Sequence, residues 1–265
     1  MSHTSVLHPE TEAILQEASR ISKKGIQTYA DPKLTAHASV RLAKHAEPLH
    51  YIRYRPDQQD VRDYLIAHEC GHIIRVFSTA PEQRKIATIP SNFRKFLYDN
   101  SDIRQYMLPD SLMAELESAM ASAYKHYDSI IGLLTDGPAD VHIEQWIHDS
   151  YSTLREIQKR TLPQQAALTY VSLVNRLHQA TRKMHRTEAT LVYALSRKLG
   201  RIIENLEIAE HFRELADEQN AEYMQRALAE VGDRGHIGDV DTTNRWARYL
   251  GLENWFEWSE WKSGN

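Results

Sequence analysis

The N-terminal part of the chain alternates between two periodicities. From Pro9 to Lys24, Ile14, Ala18 and Ile21 fall on one helical stripe, and Gly25 stands where such a helix would end. Three short stretches follow, Ile26 to Ala30, Ala38 to Leu42 and Leu49 to Arg55, separated by Asp31-Pro32 and Glu47-Pro48. Their apolar and alternating character predicts a small three-stranded sheet. Pro56-Asp57 closes it, and Asp57, with Asp60 three residues later, predicts an N-capped helix over residues 58–76. Val61, Leu65, His68, His72 and Val76 share one face of that helix.

Beyond Pro81 strand patterns nearly vanish, and helices are expected over residues 110–134, 138–160, 164–184, 187–208 and 209–231. Val192, Leu195, Leu199, Ile202 and Leu206 follow the three-and-four spacing of a helix-packing seam. Trp255, Trp258 and Trp261 recur at three-residue spacing, which predicts a C-terminal helix anchored to the body by aromatic area, or offering it to a partner or substrate. The fold class expected is α+β and predominantly helical. Residues 1–162 would form a first, mixed domain and 163–265 a helical extension packed on it, with Pro163 as the boundary.

Composition narrows the class. A 42% hydrophobic and 26% charged chain has enough apolar material for a globular core, and a net charge of -4 provides no basic field to gather phosphates, so nucleic acid is not expected as a partner. The single cysteine, Cys70, excludes an intramolecular disulfide and suits a reducing compartment, so the cytoplasm is expected. The N-terminus lacks a basic flank and an apolar run, and no stretch approaches ~18 uninterrupted apolar residues, so neither signal peptide nor membrane span is expected.

The chemistry lies in His68-Glu69-Cys70-Gly71-His72. With about 100° per residue, His68 and His72 stand about 40° apart and roughly 6 Å along a helix, so both imidazoles can converge on one ion. Zinc suits them: it accepts imidazole nitrogen in tetrahedral geometry, and its catalytic sites use three protein ligands. Glu69 lies beside the ligand face, where its carboxylate can take a proton from a zinc-activated water. Cys70 is turned away from both histidines and reads as a small buried thiol. Gly71 costs about 1 kcal/mol in a helix, which a close approach of another backbone would explain.

A third ligand is required, and the segment from Leu134 to Trp146 is the best source. Pro138 suits the first turn of a helix with Asp136 as N-cap, which puts Asp140 and Glu144 on one face at i and i+4. One carboxylate can bind metal while the other holds the free N–H of a ligating histidine. Asp140 is taken as the ligand and Glu144 as the residue behind it. The reverse assignment stays open, as does Asp136.

These residues resemble the gluzincin-type metallopeptidases of the zincin group, in which a His-Glu-x-x-His helix is followed by a second helix carrying a ligand and an acidic residue four positions on. His68, Glu69 and His72 match ligand, base and ligand. Asp140 and Glu144 match in spacing but reverse the usual order of glutamate then aspartate, and the gap from His72 to Asp140 is long. The chain is also similar to the compact intracellular peptidases of the ImmA/IrrE kind. The resemblance covers roughly residues 9 to 160 and implies a minimal zincin core of helix, small sheet and active-site helix. It further implies a protein or peptide substrate paired along the strand Leu49 to Arg55, zinc as cofactor, and peptide hydrolysis with Glu69 as general base. An oxyanion donor is expected; Tyr193, His178 and His185 are candidates.

Overall fold

The apolar stripe at Ile14 and Ala18 forms the inward face of α1 (Pro9–Ser22) in the computed structural model, which describes residues 6–44, 46–90 and 113–261. Helix α1 stops before Gly25, because Lys23 takes the left-handed conformation with φ 57. Gly25 opens β1 instead, and a Cβ there would lie 2.6 Å from Leu49 Cδ2, so glycine serves strand approach rather than helix termination.

The three expected strands form: β1 (Gly25–Ala30), β2 (Ala38–Arg41) and β3 (Leu49–Tyr54). Their order is β1-β3-β2, with β3 in the middle, parallel to β1 and antiparallel to β2. Helix α2 (Arg62–Phe77) follows, starting later than the pattern suggests. Asp57 is not its N-cap. It lies in a 3-10 turn, Pro56–Gln58, and its carboxylate is held by the Arg55 guanidinium, so it is not available to a helix end.

The helical remainder comprises α3 (Met113–Thr135), α4 (Gly137–Ser150), α5 (Ser152–Asn175), α6 (Arg182–Ile202), α7 (Glu207–Arg213), α8 (Glu218–Val231) and α9 (Gly235–Leu250). The molecule is thus α+β and mostly helical, with nine α-helices among the described residues. Helix α5 runs through Pro163, where a boundary between helices was expected; the break falls at Tyr151 instead. Proline deletes one N–H donor there and leaves the flanking turns to hold the helix. Leu206, the last position of the expected seam, lies beyond α6 and is exposed. Helix α9 has no counterpart among the expected segments.

The tryptophan-rich C-terminus is not helical. Glu257–Glu260 forms β5, antiparallel to β4 (Lys85–Thr88), and the two make a second sheet. Trp255 stacks on Tyr127 with ring centroids 5.6 Å apart, and Trp258 meets Phe256 edge to face. The three-residue recurrence thus came from separate anchoring contacts, not from a helix stripe.

Two hydrophobic clusters result. One joins α1, the three-stranded sheet and α2 to Ala139, Ile143 and Ile147 of α4; the other gathers α3, α6 and the later helices, with Val141 of α4. Helix α4 is therefore the shared wall, and it carries Asp140 and Glu144. Among the described residues no helix is long and apolar enough to cross a membrane.

Candidate metal centre

Helix α2 presents His68 and His72 to α4, and one oxygen of Asp140 stands between them. Asp140 Oδ1 is 3.3 Å from His68 Nε2 and 3.1 Å from His72 Nε2. The three donor atoms lie within 4.8 Å of one another, and this is the one such group among the described residues. Donors placed tetrahedrally at about 2.0–2.1 Å from zinc stand roughly 3.3 Å from each other, so the spacing fits that ion, as does the set of two imidazole nitrogens and one carboxylate oxygen. All three donor residues line the same cleft.

Glu144 does something different. Its Oε1 accepts from His68 Nδ1 at 2.7 Å and from the Tyr64 hydroxyl at 2.6 Å, and the residue is almost wholly buried. It grips the nitrogen of His68 that faces away from Asp140, which fixes the ring and leaves Nε2 to the centre. The structure therefore brings Asp140, not Glu144, to the converging nitrogens. Asp136 is outside the group: it precedes α4 as its N-cap residue and accepts from the Thr135 hydroxyl at 3.3 Å. Asp136 opens on the cleft wall, and burial together with the charges of Asp140 and Glu69 pushes its carboxyl up to about 6.

Gly71 explains how a short aspartate reaches both histidines. A Cβ on Gly71 would lie 2.7 Å from Ile143 Cγ2, so the absence of a side chain lets α4 settle against α2. The expected close neighbour exists, and it is a side chain rather than a backbone.

Without metal the centre is a pre-assembled charge network. Burial alone would lower both histidines, yet hydrogen bonds to Asp140, and for His68 also to Glu144, raise them, His68 well above the ordinary value. Burial would likewise raise Asp140, but the same two imidazoles hold it well below the usual carboxylate range. A divalent cation placed here would replace protons on the histidines, so uptake should release them. Glu69 is pushed up by burial, with Asp140 adding and the imidazoles and the Val40 backbone N–H opposing. Cys70 is fully buried on the other side of α2, and burial together with Glu69 pushes its thiol up to about 12, so it is no nucleophile.

The centre lies in a cleft of about 930 Å³. One wall is β2, including Val40 beside Glu69. The expectation that Leu49 to Arg55 borders a substrate is overturned, because both edges of β3 are occupied by β1 and β2; β2 is the edge on the cleft. The opposite walls come from α3, α9 and the β4–β5 ribbon, including Trp258 and Trp261.

The candidates for an oxyanion donor do not reach this cleft. Tyr193 faces a separate pocket beside Arg197, His185 is buried against the Leu173 carbonyl, and His178 caps the turn Gln179–Thr181. The polar groups that do line it include Arg75 and His236. Arg75 is clamped by Asp239 at 2.6 and 2.9 Å and by Asp233 at 3.0 Å, and His236 Nε2 lies 3.0–3.1 Å from the backbone of Lys85. The pattern reading missed these residues, together with Tyr64 and Gln158 behind Glu144; no local spacing signals them, since their partners are up to 164 positions away.

Comparison with family models, with curated proteins and with solved structures gives no match for this chain.

Proposed function

We propose that this protein is a zinc-dependent metallopeptidase, with His68, His72 and Asp140 as metal ligands and Glu69 as general base. The observation that carries the reading is the convergence of two Nε2 atoms on one Asp140 oxygen at 3.1 and 3.3 Å, beside Glu69 and inside a cleft edged by a strand. Zinc supplies Lewis acidity, which lowers the pKa of water to about 7 and polarises a carbonyl.

The chain's own residues supply the rest. Glu69 accepts the proton of the attacking water at its carboxylate and returns it to the departing amine. The outward edge of β2 offers backbone groups to an extended peptide, which favours a peptide over a small substrate. Glu144 and Tyr64 keep His68 oriented.

The test is Glu69→Gln, assayed on a mixture of unstructured peptides that the wild type cleaves. The variant should keep its zinc and lose about 10²–10⁴-fold in turnover. A glutamine variant that holds zinc and cleaves at the wild-type rate would refute the role given to Glu69.

A further inference from the structure

Glu144 has two carboxylate oxygens, and α2 fixes only one of them. Oε1 receives Tyr64 and His68. Oε2 is taken by a residue from a third helix: Gln158 of α5, fully buried, donates from Nε2 to Glu144 Oε2 at 2.5 Å and to the Glu144 backbone carbonyl at 2.9 Å. Both of those atoms are acceptors, so the amide nitrogen must face them, and the orientation of the amide follows from its neighbours. The amide oxygen then faces His148 Nδ1 at 3.1 Å, which must donate. One glutamine thus ties together two residues of α4 a turn apart, and each of its polar groups is satisfied.

We infer that Gln158 is a positioning residue for the ligand His68, acting through Glu144; the inference rests on the proposed metal centre. A glutamate at position 144 is long enough to compete for metal if its side chain is free to swing. One Gln158 amide hydrogen on Oε2 and the other on the Glu144 backbone carbonyl fix the side chain against its own helix. They keep it turned toward His68 Nδ1, which leaves the converging position to the shorter Asp140. The reversed order of aspartate and glutamate on α4 is therefore stabilised from α5. The placement of α5 is itself anchored, because the Glu10 carboxylate of α1 accepts from the backbone N–H of Thr153 at 3.1 Å and of Leu154 at 3.0 Å.

The test compares Gln158→Met, which keeps the shape and deletes the donors, with Thr161→Val, a buried control whose hydroxyl bonds only the Ile157 carbonyl. Zinc affinity by chelator competition should fall 10–100-fold for Gln158→Met and stay within about threefold of wild type for Thr161→Val. In the metal-free protein, nitrogen–proton NMR of His68 should show its Nδ1–H exchanging at least about tenfold faster in Gln158→Met, since the hydrogen-bonded partner is no longer held. Should Gln158→Met fail to fold, His148→Leu at the half-buried end of the chain of bonds should give a three- to tenfold loss of affinity. Wild-type affinity together with an unchanged His68 Nδ1–H signal in the folded variant would overturn the inference. If the wild type takes up no zinc, the proposed function falls, and the NMR comparison alone decides on Gln158.

Discussion

Gly71→Ala probes the packing that sets the metal centre. The added Cβ would lie 2.7 Å from Ile143 Cγ2 and 2.9 Å from Cγ1, where carbon atoms ordinarily stand about 3.5 Å or more apart, so roughly 0.6–0.8 Å must be found. Ile143 is 1% exposed, which leaves it no space to turn into, and the relief has to come from α4 moving off α2. Overpacking costs about 1–3 kcal/mol, and replacing a helical glycine returns about 1 kcal/mol, so the net loss of stability should be about 0–2 kcal/mol. The larger effect falls on the centre. Asp140 precedes Ile143 by one turn, and a shift of that size would stretch its 3.1 and 3.3 Å spacings beyond what a tetrahedral ion spans. Zinc affinity, measured by chelator competition, should drop at least about tenfold, while urea unfolding changes little. Adding Ile143→Ala deletes both clashing carbons and should recover most of the lost affinity, a coupling typical of residues in contact. Wild-type zinc affinity in Gly71→Ala would refute the argument that this contact sets the α2–α4 distance.

Two pH-linked predictions concern the scaffold. His50 is fully buried, and burial, aided by Lys24 and Arg41, lowers it to about 4, so between that value and the unfolded value near 6.5 the unfolded chain binds the extra proton and stability is lost as pH falls. Urea unfolding at pH 7 and pH 4.5 should show roughly 2–3 kcal/mol less pH dependence for His50→Gln than for wild type, and equal slopes would contradict the assignment. Burial works to raise Glu10, but the Leu154 and Thr153 backbone N–H groups it caps lower it, so its contribution is present above the unfolded value near 4.5 and disappears as pH falls through the folded one. Glu10→Ala should therefore cost about 1 kcal/mol or less at neutral pH, and the cost should shrink as pH falls below about 4.5; a cost independent of pH would assign it to packing instead.

What the sequence made legible was local. The helix of His68 and His72, the strands ahead of it and the helix of Asp140 all follow from periodicity and from prolines and glycines within a dozen residues, although the expected Asp57 cap does not form. The choice between Asp140 and Glu144 was beyond such reasoning, because it depends on how near α4 comes to α2 and on Gln158, fourteen positions further on. The strand order escaped for the same reason. Three strands in a row read alike whichever lies in the middle, and only pairing placed β3 between the others and gave β2 the cleft edge. At the C-terminus, tryptophans spaced by three imitated a helix, while the pairing of Glu257–Glu260 with Lys85–Thr88 spans most of the chain. Pro163 read as a stop, yet the packing around α5 carried the helix through it.

The most direct test of the central claim is metal analysis by mass spectrometry of the purified protein after exposure to equimolar zinc and gel filtration, alongside Asp140→Ala and Glu69→Gln. The geometry predicts one zinc per chain in the wild type, retention in Glu69→Gln, and loss in Asp140→Ala, whose removed oxygen stands 3.1 and 3.3 Å from the two histidine nitrogens. A wild type without zinc, or an Asp140→Ala variant that holds it as tightly, would contradict the assignment of His68, His72 and Asp140 as the metal centre.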